Sequence, residues 1–189
     1  MLLHVLPLSH THGLFVARHC ALMGGSSMIS LPRFDPKQIL ANIGRASVFM
    51  GVPTFHTRLL AEPSFDAAAC ENMRLFISGS APLLEHSFRD FETRSGHSIL
   101  ERYGMTEAGM NISNPLSGER RPGTIGYPLS GVDIRIVKED GVRVAGDDIG
   151  QLQVKGPNVF GGYWRQPQKT AEEVDDEGYF SIGDLGRHS

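Results

Sequence analysis

Leu75-Phe76-Ile77-Ser78-Gly79-Ser80-Ala81-Pro82 is a short apolar run that breaks into small residues and ends on a proline. The apolar residues read as a strand, the small ones as a tight turn, and Pro82 as the opening of a helix that runs to about Arg94. The same order recurs on both sides. Upstream, Leu2 to Leu8 reads as a first strand and Phe15 to Met23 as a helix closed by Gly24-Gly25. Ser27 to Leu31 reads as a second strand, and Asp35-Pro36 supplies an N-cap and a first-turn proline for a helix to about Arg45. Val48 to Met50 reads as a third strand, with Thr54 as cap of the helix that follows. Downstream of the quoted fourth strand, Ile99 to Arg102 reads as a fifth. Strands alternating with helices imply an α/β fold, a parallel sheet flanked by helices and joined by right-handed crossovers.

After about Asn111 the pattern changes. A Gly/Pro-rich stretch, residues 115–131, leads into strand-like segments at Val132 to Val137 and Gly150 to Val154, with Asp140-Gly141 as a hairpin signal. The expectation is a small antiparallel β unit after the parallel sheet, with residues 1–112 forming the α/β part and 113–189 the loop and β-rich part.

Composition narrows the function classes. Of 189 residues, 40% are hydrophobic and 21% charged, as in ordinary globular chains. The formal net charge of -3, with Lys and Arg scattered, argues against a nucleic-acid partner. No segment approaches the roughly 20 apolar residues that span a bilayer. The Met1 to Leu8 stretch lacks a basic start and is interrupted by Pro7, so it reads as a buried strand rather than a signal peptide. Cys20 and Cys70 make neither a disulfide framework nor a CxxC site, and a reducing cytoplasmic setting is expected.

In sheets of this kind ligands bind beyond the carboxyl ends of the strands. Four segments with site-forming residues fall there: Ser9-His10-Thr11-His12-Gly13, Val52-Pro53-Thr54, Ser78-Gly79-Ser80-Ala81-Pro82 and Tyr103-Gly104-Met105-Thr106-Glu107. In the last, the Thr106 hydroxyl suits a phosphate oxygen, Glu107 suits Mg²⁺, and the Tyr103 ring suits stacking on a base. Alone, the stretch reads better as a strand-to-loop turn with a packed Tyr and a solvated Glu. The Ser78–Pro82 loop lets a flat ligand approach its backbone but lacks the P-loop lysine, and alone it is an ordinary βα turn. His10 and His12 have metal-ligand spacing without a third ligand, so a pocket-shaping or core role is preferred. Asp184, after Tyr179-Phe180-Ser181-Ile182-Gly183, suits a ribose diol or is a turn residue. Arg58 is a cation for an anionic group, or else an exposed arginine.

Taken in order, these motifs resemble one family. Leu6-Pro7-Leu8-Ser9-His10-Thr11-His12-Gly13-Leu14 is similar to the acyl-pocket motif of the adenylate-forming superfamily of acyl-CoA synthetases, luciferases and adenylation domains. Ser78 to Leu83 resembles its adenine-side loop, Tyr103 to Glu107 its nucleotide and Mg²⁺ motif, Gly123-Thr124-Ile125-Gly126-Tyr127-Pro128 its Gly/Pro loop, and Gly183-Asp184 its ribose site. Met50 to Thr54, Leu100 to Glu107 and Val154 to Phe160 look most like the malonyl-CoA synthetases. The resemblance implies an acid–thiol ligase that uses ATP, Mg²⁺ and coenzyme A to convert a carboxylic acid, malonate, to its CoA thioester through an acyl adenylate.

It further implies roles for Ser78, Gly79, Ser80, Ala81, Pro82, Arg102, Tyr103, Gly104, Met105 and Asp184 toward the nucleotide. Arg58, Ser78 and His10 fall to the acid, Thr106, Glu107 and His10 to the chemistry, and Glu107 to Mg²⁺. A ligase for another acid and a non-catalytic adenylate-binding remnant are the alternatives. The chain departs from the family pattern at Ser9, where an aromatic is usual, and at Ile182, where Thr is usual. No stretch matches the family's phosphate loop or its lysine-bearing C-terminal domain. A central fragment with little synthetase activity of its own is therefore expected, with a sheet edge left open to self-association.

Overall fold

Successive residues of a strand face opposite sides of a sheet, and here both sides are apolar. The computed structural model describes residues 1–144 and 146–188; Ala145 and Ser189 lie outside the described residues. The elements are β1 (Leu2–His4), a π-helical run (His12–His19) continuing as α1 (Cys20–Met23), β2 (Met28–Ser30), α2 (Pro36–Ile43) and β3 (Val48–Gly51). They continue with α3 (Pro53–Leu60), β4 (Leu75–Ser78), α4 (Glu85–Ser95), β5 (Leu100–Met105), β6 (Gly109–Ser113) and β7 (Tyr127–Pro128). Last come β8 (Asp133–Val137), β9 (Gly150–Lys155), α5 (Pro167–Glu173) and β10 (Phe180–Gly186).

Seven strands form one sheet in the order β2-β1-β3-β4-β5-β6-β7, and the pairs from β2 through β5 are parallel. Leu3, Phe49 and Phe76 point to one face, where Ile39 and Ile43 of α2, Leu59 of α3 and Phe88 and Phe91 of α4 cover them. Leu2, Val48 and Met50 point to the other, against Ala17 of the π-helical run and Ala21 of α1. Aromatic rings meet edge to face in the first core: Phe76 and Phe91 have centroids 4.9 Å apart at 74°. The expected α/β architecture is the observed one. The small antiparallel unit is a separate three-stranded sheet, β10-β9-β8.

The chain forms two compact units, Met1–Gly104 with Ile112–Tyr127 and Met105–Asn111 with Pro128–Ser189. The division is interleaved, whereas the sequence suggested a single cut at 112/113. Among the described residues, no helix is long and apolar enough to cross a membrane.

Several element ends differ from expectation, each for a local reason. β1 stops at His4 rather than Leu8, and the helix begins at His12 rather than Phe15. Gly13 allows that early start, because a Cβ there would lie 2.1 Å from the Pro7 carbonyl oxygen. Asp35 caps α2 as read, accepting the Gln38 amide at 3.1 Å. Thr54 does not cap α3: Pro53 already occupies the first turn, Val52 is the cap position, and the Thr54 carbonyl accepts from the Thr57 hydroxyl. Pro82 does not open α4, which starts at Glu85 after an extended Leu84. Tyr103, Gly104 and Met105, read as a loop, are the last residues of β5.

Candidate functional site

The carboxyl ends of β1, β3, β4 and β5 carry the polar residues of the first unit. Parallel pairing sets Gly51 beside Ser78 and Ser78 beside Glu101, so the loops leaving β3 and β4 start at one level. Gly79 follows, and a Cβ there would lie 3.3 Å from the Arg102 carbonyl oxygen and 3.5 Å from His12 Cε1. The His12 ring thus lies close to Gly79 and the backbone of β5. Ser80 then takes φ 67, a left-handed conformation that costs a non-glycine residue energy and recurs at ligand sites. In that conformation its hydroxyl lies 3.2 Å from His12 Nδ1.

Three groups here have buried polar atoms with unused bonding capacity. Ser78 is 1% exposed and its Oγ has no hydrogen-bond partner among the described residues; neither do the buried atoms His12 Nε2 and Arg102 Nε, although the Arg102 side chain as a whole is half-buried. Arg102 Nη2 lies 3.5 Å from Met50 Sδ, a weak acceptor, and burial pulls its guanidinium down to about 10, still cationic at neutral pH. His12 is pulled down to about 3, first by burial and then by the charges of Arg102, His10, His56 and His4, so its ring is neutral. His56, fully buried on α3, binds the Ile77 carbonyl through Nε2 at 3.1 Å and is lowered to about 4 by burial. Arg102 and His12 meet around Gly79 on one face of the sheet, where an under-satisfied guanidinium beside a neutral imidazole suits an anion, while Ser78, in register with Gly51 and Glu101, faces the other side.

The second unit holds Met105, Thr106, Glu107 and Asp184. Glu107 is half-buried, its carbonyl accepts the Phe160 amide at 2.7 Å, and its carboxylate accepts from the Tyr163 hydroxyl. Burial, together with the negative charges of Glu107 and Glu173, pushes the Tyr163 phenol upward. Thr106 and Asp184 are exposed, and Met105 and Ile182 pack on one core of Ala108, Val154 and Phe180.

Among the residues read from sequence, Ser78, Gly79, Ser80 and Arg102 come together in the first unit. Ala81 and Pro82 continue the same loop and are exposed, and Tyr103 and Gly104 are half-buried on β5. His10 is exposed, and its Nδ1 accepts the His12 amide at 3.1 Å, so it fixes the start of the π-helical run while His12 takes the place beside Ser80. Arg58 is exposed near the end of α3, its guanidinium 4.7 Å over the Phe34 ring. Sequence reading passed over His12 as the inward histidine, over Met50, and over the buried Glu101. The signal for His12 was the glycine that follows it. The two-residue period of a strand, which sends neighbours to opposite faces, could have separated Glu101 from Arg102.

The description AMP-binding enzyme matches residues 1–164. The chain is 40% identical over 205 residues to a malonate–CoA ligase of Arabidopsis thaliana, which covers 98% of the chain and 33% of the relative. It is 38% identical over 221 residues to the mitochondrial malonate–CoA ligase of Homo sapiens, covering 97% of the chain and 38% of the relative. The crystal structure of ATP-bound MatB from Rhodopseudomonas palustris superposes with a TM-score of 0.97 at 54% identity, over 98% of this chain and 37% of that one. The chain therefore spans between a third and two fifths of the length of these relatives. Its fold, its ordered motifs and the match over most of its length make it a member of the AMP-binding enzyme family.

Proposed function

We propose that the chain carries the acid-binding and much of the nucleotide-binding apparatus of an ATP-dependent acid–CoA ligase whose acid is malonate. The observation that supports this most directly is the unpartnered Nε of half-buried Arg102, whose side chain lies with Gly79 and the His12 ring on one face of the sheet. A monocarboxylate consumes its only negative charge on forming an adenylate. A dicarboxylate keeps a second one, and a desolvated guanidinium favours it strongly. Likeness to malonate–CoA ligases points the same way.

In the reaction, one malonate carboxylate oxygen bonds to the α-phosphorus of ATP and the α–β bridging oxygen leaves with pyrophosphate. The CoA thiol, losing its proton, then bonds to the acyl carbon and AMP leaves. Arg102 holds the spare carboxylate. Neutral His12, its Nδ1 engaged by Ser80, walls the acyl group and keeps water away from it. Arg58 adds long-range positive charge from α3. In the first unit the Ser78–Pro82 backbone suits the adenine edge and Tyr103 the base; in the second, Asp184 suits a ribose diol, as the family resemblance implies. Thr106 donates to a phosphate oxygen.

No group of three or more acidic, His or Cys side chains that could hold a metal exists among the described residues. Mg²⁺ would be held by one carboxylate, Glu107, with phosphates and water completing its shell. When bound it neutralises charge on the phosphates.

The test is calorimetric titration of the chain with non-hydrolysable malonyl- and butyryl-adenylate analogues. The malonyl compound is expected to bind about tenfold or more tightly, the effect of one charge-assisted contact. Arg102→Ala is expected to erase that preference and Arg58→Ala to reduce it less. Equal affinity for both analogues, or a preference untouched by Arg102→Ala, defeats the malonate assignment.

A further inference from the structure

Glu101 is a carboxylic residue with 6% exposure in the middle of the first unit, and no step above uses it. It precedes Arg102 on β5, so the two side chains leave the strand on opposite faces. Its Oε2 accepts the Leu83 amide at 3.3 Å, at the far end of the loop that begins at Ser78. Its Oε1 has no hydrogen-bond partner of good geometry among the described residues, although the Gly123 amide is close enough to stabilise the carboxylate. Its own carbonyl accepts the Asn114 amide at 2.9 Å, and the Asn114 side chain donates to the Thr124 carbonyl at 2.7 Å. One residue therefore ties the loop after β4 to β5 by its carboxyl and reaches toward residues 121–124. Burial pushes its carboxyl up to about 7 against the opposing pull of the Leu83 and Gly123 amides. An apolar residue would fill this place without that desolvation cost.

We propose that Glu101 is a positioning residue whose buried carboxyl, by accepting the Leu83 amide proton, holds the Ser78–Leu83 loop in the shape that receives the nucleotide. Ser80 supplies the independent geometric reason that the loop requires such a hold. Its left-handed φ of 67 is held only where the flanking chain is fixed, and Leu83 is the next backbone donor to be tied down after it. The inference rests on the nucleotide-binding reading above.

The experiment uses the 189-residue chain with AMP as probe. Glu101→Met fills the same space with no acceptor, while Glu101→Gln keeps an acceptor oxygen for Leu83. Amide exchange at Leu83, AMP affinity by calorimetry and thermal melting are measured for each. Glu101→Met is expected to speed Leu83 exchange and weaken AMP binding, each by about tenfold or more, as loss of a buried hydrogen bond does. Glu101→Gln is expected to restore both to within about threefold. Should Glu101→Met fail to fold, Glu101→Ala is read the same way.

Unchanged Leu83 exchange overturns the inference, and so does faster exchange with unchanged AMP affinity. A folded Glu101→Gln as weak as Glu101→Met also overturns it. Failure of the unsubstituted chain to bind AMP sinks the nucleotide reading and the loop's role in it, and Leu83 exchange then still decides the contact itself.

Discussion

Two adjacent residues, His12 and Gly13, show how much a single position decides. Gly13 lets the π-helical run start against the Pro7 carbonyl, and that start carries His12 inward to Ser80. Gly13→Ala is expected to cost about 1–3 kcal/mol, because its methyl meets backbone rather than a movable side chain; urea unfolding checks it. Protonation acts at the same scale. His12 at about 3 and His56 at about 4 lie below the ordinary value of 6.5, so the unfolded chain takes up their protons first. Their stabilising share is present above 6.5 and is lost as pH falls toward 4. Glu101, raised from 4.5 to about 7, has the opposite sign, with a share present below 4.5 and lost as pH rises through 7. Melting temperature is therefore expected to fall from pH 7 to 4.5, less steeply in His56→Leu and more steeply in Glu101→Gln. What the sequence left open at this scale was direction: His10 or His12, Glu101 or Arg102. Residue type and spacing name the chemistry, but only backbone geometry says which of two neighbours turns inward.

At the scale of elements, the strand–helix alternation was legible because Leu3, Phe49 and Phe76 belong to short apolar runs and Asp35-Pro36 is a strong start signal. Asp35→Ala is expected to cost about 1 kcal/mol through loss of the Gln38 contact, measured by thermal unfolding. The ends were less legible where tertiary contacts overrule local preference. Pro82 is a good helix opener, yet the Leu83 amide is held by Glu101 and the helix waits until Glu85. Arg94 was read only as the end of a helix. In the structure its guanidinium donates to the carbonyls of Phe65 at 2.8 Å, Leu60 at 3.0 Å and Glu62 at 2.8 Å, pinning the turn after α3 to α4. Arg94→Ala is expected to destabilise by about 1–3 kcal/mol. Arg94→Lys restores little, since a point charge lacks the planar fork. Chemical denaturation of both variants measures this, and full rescue by lysine contradicts the fork as the reason.

For the whole molecule, the parallel sheet with its companion antiparallel sheet was readable from periodicity, while the interleaving of the two units was not. Residues 105–111 belong with 128–189 because Met105 and Ala108 pack on the core of Val154 and Phe180, a long-range preference that no local pattern reports. Family membership rests on the order of motifs along the chain and on the match to residues 1–164. The central claim concerns the carboxyl ends of β4 and β5, where Arg102 and His12 carry buried nitrogens with unused bonding capacity. A crystal structure of the chain grown with a malonyl-adenylate analogue tests it most directly. The account predicts a ligand carboxylate within hydrogen-bond distance of Arg102, with the acyl group against His12. A ligand seated elsewhere, with Arg102 still facing only Met50, contradicts it.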